Sequence, residues 1–469
     1  MFFFTIDKTK DSNYLYHQIY ENIKGSILDG KIHAHEQLPS KRKLADELNV
    51  SVNSVANAYG QLLAEGYIYT KERKGYFVES ITQFIKKDYQ LNKLPPDLKE
   101  ECMEKEGWLS LSHMTSDISL FPFKAWMKCQ NKAIKNHLHE LSEIPHPQGP
   151  YLVRQTISRM IALTRGVVCE PEQIVIGAGT QLLIRQLMGM QRKNTIIAME
   201  DPGYSRFYTL LRGLDFDIRL VPLNEQGINI EEVESVKANF LFVTPSHQFP
   251  TGTIMPISRR IQLLNWSTEM EDRYIVEDDY DSEFKYETDH IPSLQSLDRN
   301  QRVIYTGTFS KSLFPGLRAS YMVLPPDILR EYRKAYSDLM QNSNLLSLFT
   351  LHYFIESGEY AKHVKRMNHY YEMNRRSLIK HLKKRFKKNI TIHDVPAGLH
   401  FFAQFKTDKS YEEIEKRANE EKLEIYTMKR FMLKNKVKEK NRAGMVIGFA
   451  NIHKDKMAES INRLERIIY

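Results

Sequence analysis

The sequence predicts an α/β protein with two folded parts: a small helical N-terminal domain that ends in a β-hairpin, and a larger domain built on a mainly parallel sheet. Two patterns support this prediction. Apolar residues recur at every fourth position between about residues 13 and 29, which is typical of an amphipathic helix. After residue 111, short β-branched runs alternate with helical or loop segments, which is typical of a sheet covered by helices.

The composition is that of a globular chain long enough for two or three domains, with 469 residues, 42% of them apolar and 27% charged. The apolar runs are too short for a signal segment or a bilayer span, so we expect a cytoplasmic protein without membrane contact. Cys102, Cys129 and Cys169 lie far apart, which predicts neither a disulfide framework nor a metal site. The net charge of +9 is compatible with a polyanionic partner.

The first eighty residues predict two short helices across a tight turn, followed by a hairpin. The helix over about residues 13–29 places Leu15, Ile19, Ile23 and Ile27 on one face. Ser40 is a predicted N-cap for a helix that runs through Leu48, and Ser51 caps the next one. The predicted buried face of that helix consists of Val55, Tyr59, Leu62 and Leu63. After Gly66, YIYT and YFVES alternate as two strands, as in the wing of a winged helix-turn-helix.

The first eighty residues are not basic overall, since they contain ten lysines and arginines and ten acidic residues. The cations are clustered instead at two places where such a domain would meet phosphates, the start of the second helix and the tip of the hairpin. The third helix would then enter the major groove of duplex DNA. A three-helix module for protein interaction is the alternative.

The stretch LPSKRKLADELNVSVNSVANAYGQLLAEGYIYTKERKGYFV resembles the winged helix-turn-helix of the GntR family, over residues 14–78. Val52 and Ala56 depart from that family, whose members often carry arginines there, so the operator sequence does not follow from the resemblance. By position, the resemblance implies DNA contacts from Arg42, Ser51, Asn53, Ser54, Lys74 and Gly75.

Residues 81–110 are rich in lysine and glutamate, contain Pro95 and Pro96, and show no sustained periodicity, so we interpret them as a linker. This interpretation gives domain boundaries of 1–80, 81–110 and 111–469. Part of the linker could also be helical and pack on the following domain.

Five polar motifs follow apolar runs of the large domain, at the strand ends where ligands of parallel sheets bind. They are GAGTQ from Gly177, EDPGYSRF from Glu200, TPSHQFPTG from Thr244, EDDYDSEF from Glu277 and TFSKSLFPGLR from Thr308. The last contains Lys311, an amine that can condense with an aldehyde, and Arg318, a cation for a phosphate. His247 of the third motif is interpreted equally well as a hydrogen-bonded loop residue.

In this order the motifs resemble fold type I aminotransferases, which bind pyridoxal 5'-phosphate, from about residue 111 to 469, with a small C-terminal subdomain. The resemblance implies that Lys311 holds the cofactor aldehyde and that Asp278 pairs with its pyridine nitrogen. It places Tyr280 at the ring oxygen and Tyr204 on the ring face. The implied phosphate ligands are Gly179, Thr180, Gln181, Thr308, Ser310 and Arg318. TPSHQFPTG lacks the asparagines of the common enzyme pattern, which puts ordinary tuning of the ring oxygen in doubt.

A GntR-like head joined to an aminotransferase-like body resembles the MocR subfamily of bacterial regulators, and its γ-aminobutyrate-responsive, GabR-type members in particular. The resemblance implies a head-to-tail homodimer that binds promoter DNA. It also implies that Arg206 and Arg430 hold the carboxylate of an amino-acid effector.

The sequence therefore predicts a regulator in which an amino acid displaces Lys311 and forms an external aldimine with the cofactor. Two alternatives remain open at this stage: a regulator of vitamin B6 metabolism that senses the cofactor alone, and a true aminotransferase. Separately, a predicted helix over residues 362–388 has eleven lysines and arginines against one acid, Glu372. Such a band could touch DNA, although a solvated helix face is the simpler interpretation.

Overall fold

The computed structural model describes residues 6–7, 14–81, 94–100, 106–114, 117–286, 291–434 and 441–469. The chain divides into two compact units, Met1–Glu104 and Lys105–Tyr469, which we call the head and the body. Much of the predicted linker, together with Cys102, lies outside the described residues. Among the described residues no helix combines the length and apolarity needed to cross a bilayer.

The head has the predicted order of elements. It contains the helices α1 (Leu15–Leu28), α2 (Lys41–Leu48) and α3 (Val52–Ala64) and the strands β1 (Ile68–Lys71) and β2 (Gly75–Val78). The two strands pair antiparallel, with Ile68 opposite Val78 and Lys71 opposite Gly75. This confirms the predicted winged helix-turn-helix.

Local chemistry explains where the head helices begin. The Ser40 hydroxyl accepts a hydrogen bond from the backbone N–H of Lys43, and the Ser51 hydroxyl accepts one from the N–H of Ser54, at 3.2 and 3.1 Å. The prediction that Leu63 is buried is wrong, because 41% of its surface is exposed. Ala58 is buried instead, on the helix α3 that packs against α1.

The body alternates strands and helices over its whole length. Its strands are β3 (Leu109–Ser110), β4 (Ile174–Gly177), β5 (Ile196–Asp201), β6 (Asp217–Asn224), β7 (Gly227–Ile228), β8 (Phe240–Val243), β9 (Tyr274–Asp279), β10 (Val303–Thr308), β11 (Ser320–Val323), β12 (Ile390–His393), β13 (His400–Lys406), β14 (Leu423–Glu424), β15 (Tyr426–Thr427) and β16 (Arg442–Gly448). Its helices are α4 (Phe123–Asn136), α5 (Tyr151–Arg165), α6 (Thr180–Gly189), α7 (Ser205–Gly213), α8 (Ile230–Ser235), α9 (Ile257–Thr268), α10 (Pro326–Tyr336), α11 (Leu345–Glu356), α12 (Glu359–Phe386), α13 (Tyr411–Glu420) and α14 (Lys454–Ile468).

Eight strands form the central sheet in the order β4, β11, β10, β9, β8, β5, β6, β7. The pairs from β10 through β6 are parallel, as predicted, whereas β11 runs antiparallel to both β10 and β4. Alternate residues face opposite layers: Val175 packs in one apolar cluster, while Ile174 and Ile176 pack in another. Because helices cover both faces, the central strands are buried throughout.

A second sheet forms the predicted small C-terminal subdomain, with antiparallel strands in the order β12, β13, β16, β15. Its core includes the inner faces of α12 and α14. The last two residues of the predicted linker form β3, which pairs in parallel with β14 of this subdomain.

Candidate functional site

The candidate site is a cavity of about 200 Å³ at the carboxyl ends of the central strands. Eleven of the predicted site residues line it, although they come from four separate parts of the chain. They are Gly179, Thr180, Gln181, Tyr204, Arg206, Asp278, Tyr280, Thr308, Ser310, Lys311 and Arg318. The parallel sheet brings them together because each follows the end of its own strand.

One end of the cavity is suited to a dianion. Gly179 adopts a φ of +119° directly before α6, whose first N–H groups carry the positive end of the helix dipole. Arg318 donates a hydrogen bond to the carbonyl oxygen of Ala178 at 2.8 Å. A Cβ atom on Gly179 would lie 2.2 Å from a guanidinium nitrogen of Arg318. Only glycine at this position therefore leaves the arginine in place.

Hydroxyl groups lie on the opposite side of this end. The Thr308 hydroxyl donates to that of Ser310 at 3.0 Å and accepts from the Ser320 hydroxyl at 2.8 Å. The backbone N–H of Ser310 also donates to the Thr308 hydroxyl, at 3.2 Å. Together with Arg318 and the start of α6, these groups supply the donors that a phosphate requires.

The amine of Lys311 donates a hydrogen bond to the carbonyl oxygen of His113 at 2.6 Å. Burial lowers the pKa of this amine to about 8, against the attraction of Asp281, which raises it, and Arg206 lowers it further. A substantial fraction of Lys311 is therefore neutral near physiological pH. A neutral amine is the nucleophilic form that attacks an aldehyde.

Asp278 lies at the end of β9 and is 8% exposed. Its carboxylate accepts a hydrogen bond from the Thr306 hydroxyl at 2.9 Å. Burial raises the pKa of Asp278 to about 7, and the neighbouring carboxylates of Asp279 and Asp281 add to that rise, while the Thr306 hydrogen bond opposes it. A cation placed beside this carboxylate would favour its ionised form.

Tyr280, which lines the cavity, contacts His247 in the layer behind the lining. The Tyr280 hydroxyl donates to the carbonyl oxygen of His247 at 3.0 Å, and Nδ1 of His247 lies 2.9 Å from a carboxylate oxygen of Asp281. His247 is thus a hydrogen-bonded, buried loop residue. Its Nε2 atom is buried without a partner among the described residues.

The sequence predicted no metal site, yet the structure brings His247, Asp281 and His400 together with potential ligand atoms within 4.8 Å of one another. Asp281 already bonds to His247 and accepts from the N–H of Leu399 at 3.3 Å. The same group borders the cavity that contains Lys311, so we treat it as part of that site.

The two predicted effector arginines differ in position. Arg206 is the second residue of α7, close to the N-cap residue Tyr204, and lines the cavity. Burial raises the pKa of Tyr204, while its hydrogen bonds with Arg206 and Gln181 act in the opposite direction. Arg430 lines a separate groove with its guanidinium over the Tyr426 ring, 4.9 Å from the ring centroid.

Several cavity residues were missed by the sequence analysis. They are His113, Met114, Thr244, Phe249, Asp281, Pro315, Ser320, Leu399 and His400. His113 follows β3 and His400 begins β13, so both reach the cavity through the packing of distant segments. Asp281 belongs to EDDYDSEF and Phe249 to TPSHQFPTG, so the polar and aromatic character of these two residues could have identified them from the sequence.

In the head, all six predicted DNA contacts lie on or beside α2, α3 and the hairpin. Arg42, Asn53 and Lys74 are exposed. The hydroxyls of Ser51 and Ser54 lie 2.9 Å apart and are engaged in the helix cap, which leaves them fewer free donors. Gly75 has a φ of +102° at the start of β2, and the Gln37 side chain holds the Lys74 carbonyl oxygen at 2.5 Å.

Fold and site together define a two-part protein, a winged helix-turn-helix joined to an aminotransferase-type body. Comparison with known families agrees. Residues 15–78 match the bacterial regulatory proteins of the gntR family, and residues 108–438 match aminotransferase class I and II.

Curated relatives span both units. The uncharacterized HTH-type transcriptional regulator YdeL of Bacillus subtilis is 36% identical over 453 residues, covering 96% of each chain. The probable rhizopine catabolism regulatory protein MocR of Rhizobium meliloti is 29% identical and covers 96% of this chain and 93% of its own. This chain belongs to the GntR family of bacterial regulators, in the MocR subfamily that carries a class I and II aminotransferase domain.

Among solved structures, the body resembles a kynurenine aminotransferase from Pyrococcus horikoshii, in complex with PMP. The TM-score is 0.69 at 23% identity, and the match covers 77% of this chain and 90% of that chain. This likeness confirms the predicted fold type I architecture of the body. The family agrees with the cofactor that the sequence predicts.

Proposed function

We propose that this protein is a transcription regulator that binds pyridoxal 5'-phosphate in the body and promoter DNA through the head, and that senses an amino acid. The observation that carries the proposal is the position of Lys311. Its amine, with a pKa of about 8, lies in the same cavity as Arg318 and Asp278. An amine, a cationic phosphate site and a carboxylate in one pocket fit the aldehyde, phosphate and pyridine nitrogen of this cofactor.

When bound, the cofactor supplies an aldehyde that condenses reversibly with a primary amine. Lys311 provides that amine, and the neutral fraction set by its lowered pKa determines how readily it reacts. Arg318, the start of α6 and the hydroxyls of Thr308 and Ser310 bind the phosphate. Asp278 would pair with the pyridine nitrogen, and Tyr204 would pack on the ring.

The effector is an amino acid whose amine replaces that of Lys311. Arg206 lies on the cavity wall, where its guanidinium can hold the carboxylate of the effector. Burial lowers the pKa of His113, which lines the same cavity, and the charges of Lys311, Arg430 and Arg206 lower it further. A flexible ligand with an amine at one end and a carboxylate at the other, such as γ-aminobutyrate, matches this arrangement.

The effector changes transcription by binding one arrangement of the protein more tightly than another, because only differential affinity shifts a conformational equilibrium. We place the protein in the cytoplasm as a head-to-tail homodimer. The six residues on α2, α3 and the hairpin make the promoter contacts in this proposal.

The test uses the Lys311→Ala variant with Lys334→Ala as the matched control, since Lys334 is exposed on α10. We expect the purified control to show the visible absorbance of covalently held cofactor, and promoter binding that responds to γ-aminobutyrate. The Lys311→Ala variant should lose both the absorbance and the response. An unchanged response to the effector in Lys311→Ala would refute the proposal.

Three ligand conditions separate this function from its rivals. Promoter binding that responds to the cofactor alone, with no further effect of any amine, would indicate a sensor of vitamin B6. Sustained formation of a keto acid from an amino acid, at ordinary enzyme rates, would indicate an aminotransferase. A response that requires both cofactor and amine, without sustained turnover, supports the regulator.

A further inference from the structure

The positive charge of this protein is concentrated on α12 of the body and the short turn that follows it. Residues 359–388 contain eleven lysines and arginines against two glutamates, an excess of nine that equals the formal net charge of the whole chain. Residues 1–80, which include the winged helix-turn-helix of the head, carry ten cations and ten acids. The sequence-independent attraction to duplex phosphates comes from local cations, and the head supplies no excess of them.

Ten of the eleven cations in this segment are exposed; Arg375 alone is buried, beside Asp394. Within α12, seven of the exposed cations project from one side, because their spacing keeps them within an arc of about 100°. The first of them, Lys362, pairs with Glu359 at 2.8 Å. We call the other six residues the basic face: Lys365, Arg366, Arg376, Lys380, Lys383 and Lys384. From Lys365 to Lys384 the face extends about 29 Å at the usual rise of an α-helix, which approaches one turn of duplex DNA.

The basic face is only partly neutralised by acids. Arg376 pairs with Glu372 at 2.6 Å. Lys380, Lys383 and Lys384 form no ion pair with any described residue of the chain. Three unpaired ammonium groups within about one turn of helix repel one another, so a bound polyanion would relieve that repulsion.

The apolar side of α12 distinguishes between two polyanions, a lipid bilayer and duplex DNA. Tyr371, Leu378 and Leu382 are buried in the core of the small subdomain. A helix that binds a bilayer inserts its apolar face into the lipid, and here that face is already occupied. The remaining basic face is a fixed row of cations on a folded support, which suits the regular phosphates of a duplex.

We propose that the basic face of α12 is a second DNA-binding surface, which holds duplex phosphates and adds sequence-independent affinity to the contacts of the head. This inference rests on the proposed function, since it requires that the protein binds DNA. Phosphate contacts carry no sequence information, so the surface strengthens operator and unrelated duplex alike.

The test compares two full-length variants with equal charge changes. One replaces Lys380, Lys383 and Lys384 by glutamine. The control replaces Lys237, Lys334 and Lys416, which are exposed elsewhere on the body, by glutamine. Binding to a random-sequence duplex is measured by fluorescence anisotropy over a salt range of about 50 to 200 mM. Cofactor absorbance checks that each variant is folded.

We expect the slope of log K against log salt to fall in magnitude by about 0.9 for each lost phosphate contact, hence by up to about 3 in the basic-face variant. At about 150 mM salt this corresponds to an affinity loss on the order of a hundredfold. The control should keep the wild-type slope. Equal slopes in both variants, with the wild type binding DNA normally, would overturn this inference and leave the proposed function intact.

Two further outcomes are informative. A wild-type protein that binds no duplex at all would overturn the proposed function and this inference together.

The second outcome concerns a membrane surface, and is tested by binding of the same variants to vesicles that contain phosphatidylglycerol. If the basic-face variant lost vesicle binding but bound DNA as the control does, the face would serve a membrane surface and the proposal would be wrong.

Discussion

The Lys311 amine is held 2.6 Å from the carbonyl oxygen of His113, which joins the end of β10 to the segment that follows β3. This hydrogen bond orients the amine in the cavity. Burial keeps the pKa of Lys311 near 8, about where a lysine can act as a nucleophile without a separate base.

The first prediction concerns the rate of cofactor capture by Lys311. With a pKa of about 8, roughly one-tenth of this amine is neutral at pH 7 and roughly nine-tenths at pH 9. We expect the rate of covalent capture to rise about tenfold over this range. Stopped-flow absorbance after mixing with pyridoxal phosphate measures it. A rate that still increases tenfold between pH 9 and pH 10 would show that the pKa is not lowered.

The second prediction concerns Gly179→Ala. The new methyl group would lie 2.2 Å from Arg318, and the φ of +119° is unfavourable for alanine, so the arginine must move. We expect the affinity for pyridoxal phosphate to fall at least about tenfold, which corresponds to 1.4 kcal/mol. Gly213→Ala is the control, because nothing lies within 4 Å of its added Cβ atom. Equal affinities in the two variants would contradict the phosphate role of this end.

The third prediction concerns Asp278→Asn. An asparagine keeps the Thr306 hydrogen bond but removes the charge that, in our proposal, pairs with the pyridine nitrogen. We expect cofactor affinity to fall about tenfold to a hundredfold, since a hydrogen bond to a charged group contributes about 1.5–3 kcal/mol. Asp327→Asn, at an exposed position on α10, should leave the affinity unchanged.

Asp278→Asn should weaken cofactor binding, but it should stabilise the fold of the cofactor-free protein. Folding raises the pKa of Asp278 from 3.8 to about 7, so the folded state binds more protons than the unfolded state between these values. The free energy of unfolding of the wild type therefore decreases as pH rises through this window. Thermal melts of the cofactor-free proteins at pH 8 should show a higher Tm for the variant. A lower Tm would contradict the assigned direction of the pKa shift.

The fourth prediction separates the effector from the cofactor. Arg206→Gln should raise the concentration of γ-aminobutyrate for half-maximal response at least tenfold, because the effector loses a charged partner for its carboxylate. The cofactor absorbance should stay at its wild-type level. Arg212→Gln is the control on the same helix, where the guanidinium lies near the Tyr208 ring. A loss of cofactor in Arg206→Gln would instead place this arginine at the cofactor.

Much of this fold could be predicted from sequence because its signals are local. Each parallel strand is a short apolar run, and each cofactor motif directly follows such a run. The sequence analysis did not identify β11 (Ser320–Val323), because it begins only two residues after Arg318 and no turn signal separates the two. Its antiparallel pairing with β10 follows from the connection between Thr308 and Ser320, which reverses the chain direction.

The rest of the site depends on long-range packing that no local pattern contains. His113 and His400 reach the cavity from β3 and β13, which belong to the small subdomain rather than to the central sheet. The position of Arg430 also depends on long-range packing, which here separates it from the cavity. It lies in a short turn after β15, and its side chain lines a neighbouring groove instead of the cavity that contains Arg206.

The short strand β3 fixes the beginning of the body to the small C-terminal subdomain. Leu109 and Leu111 donate backbone hydrogen bonds to Lys422 and Glu424, and the Leu111 carbonyl oxygen accepts one from Gly448. Only one residue separates Leu111 from His113, whose carbonyl oxygen holds the Lys311 amine. The proposed displacement of Lys311 would release this carbonyl group, two residues beyond Leu111. The amine that captures the cofactor in our proposal is thus bonded to the backbone just past the strand that fixes the first described residues of the body.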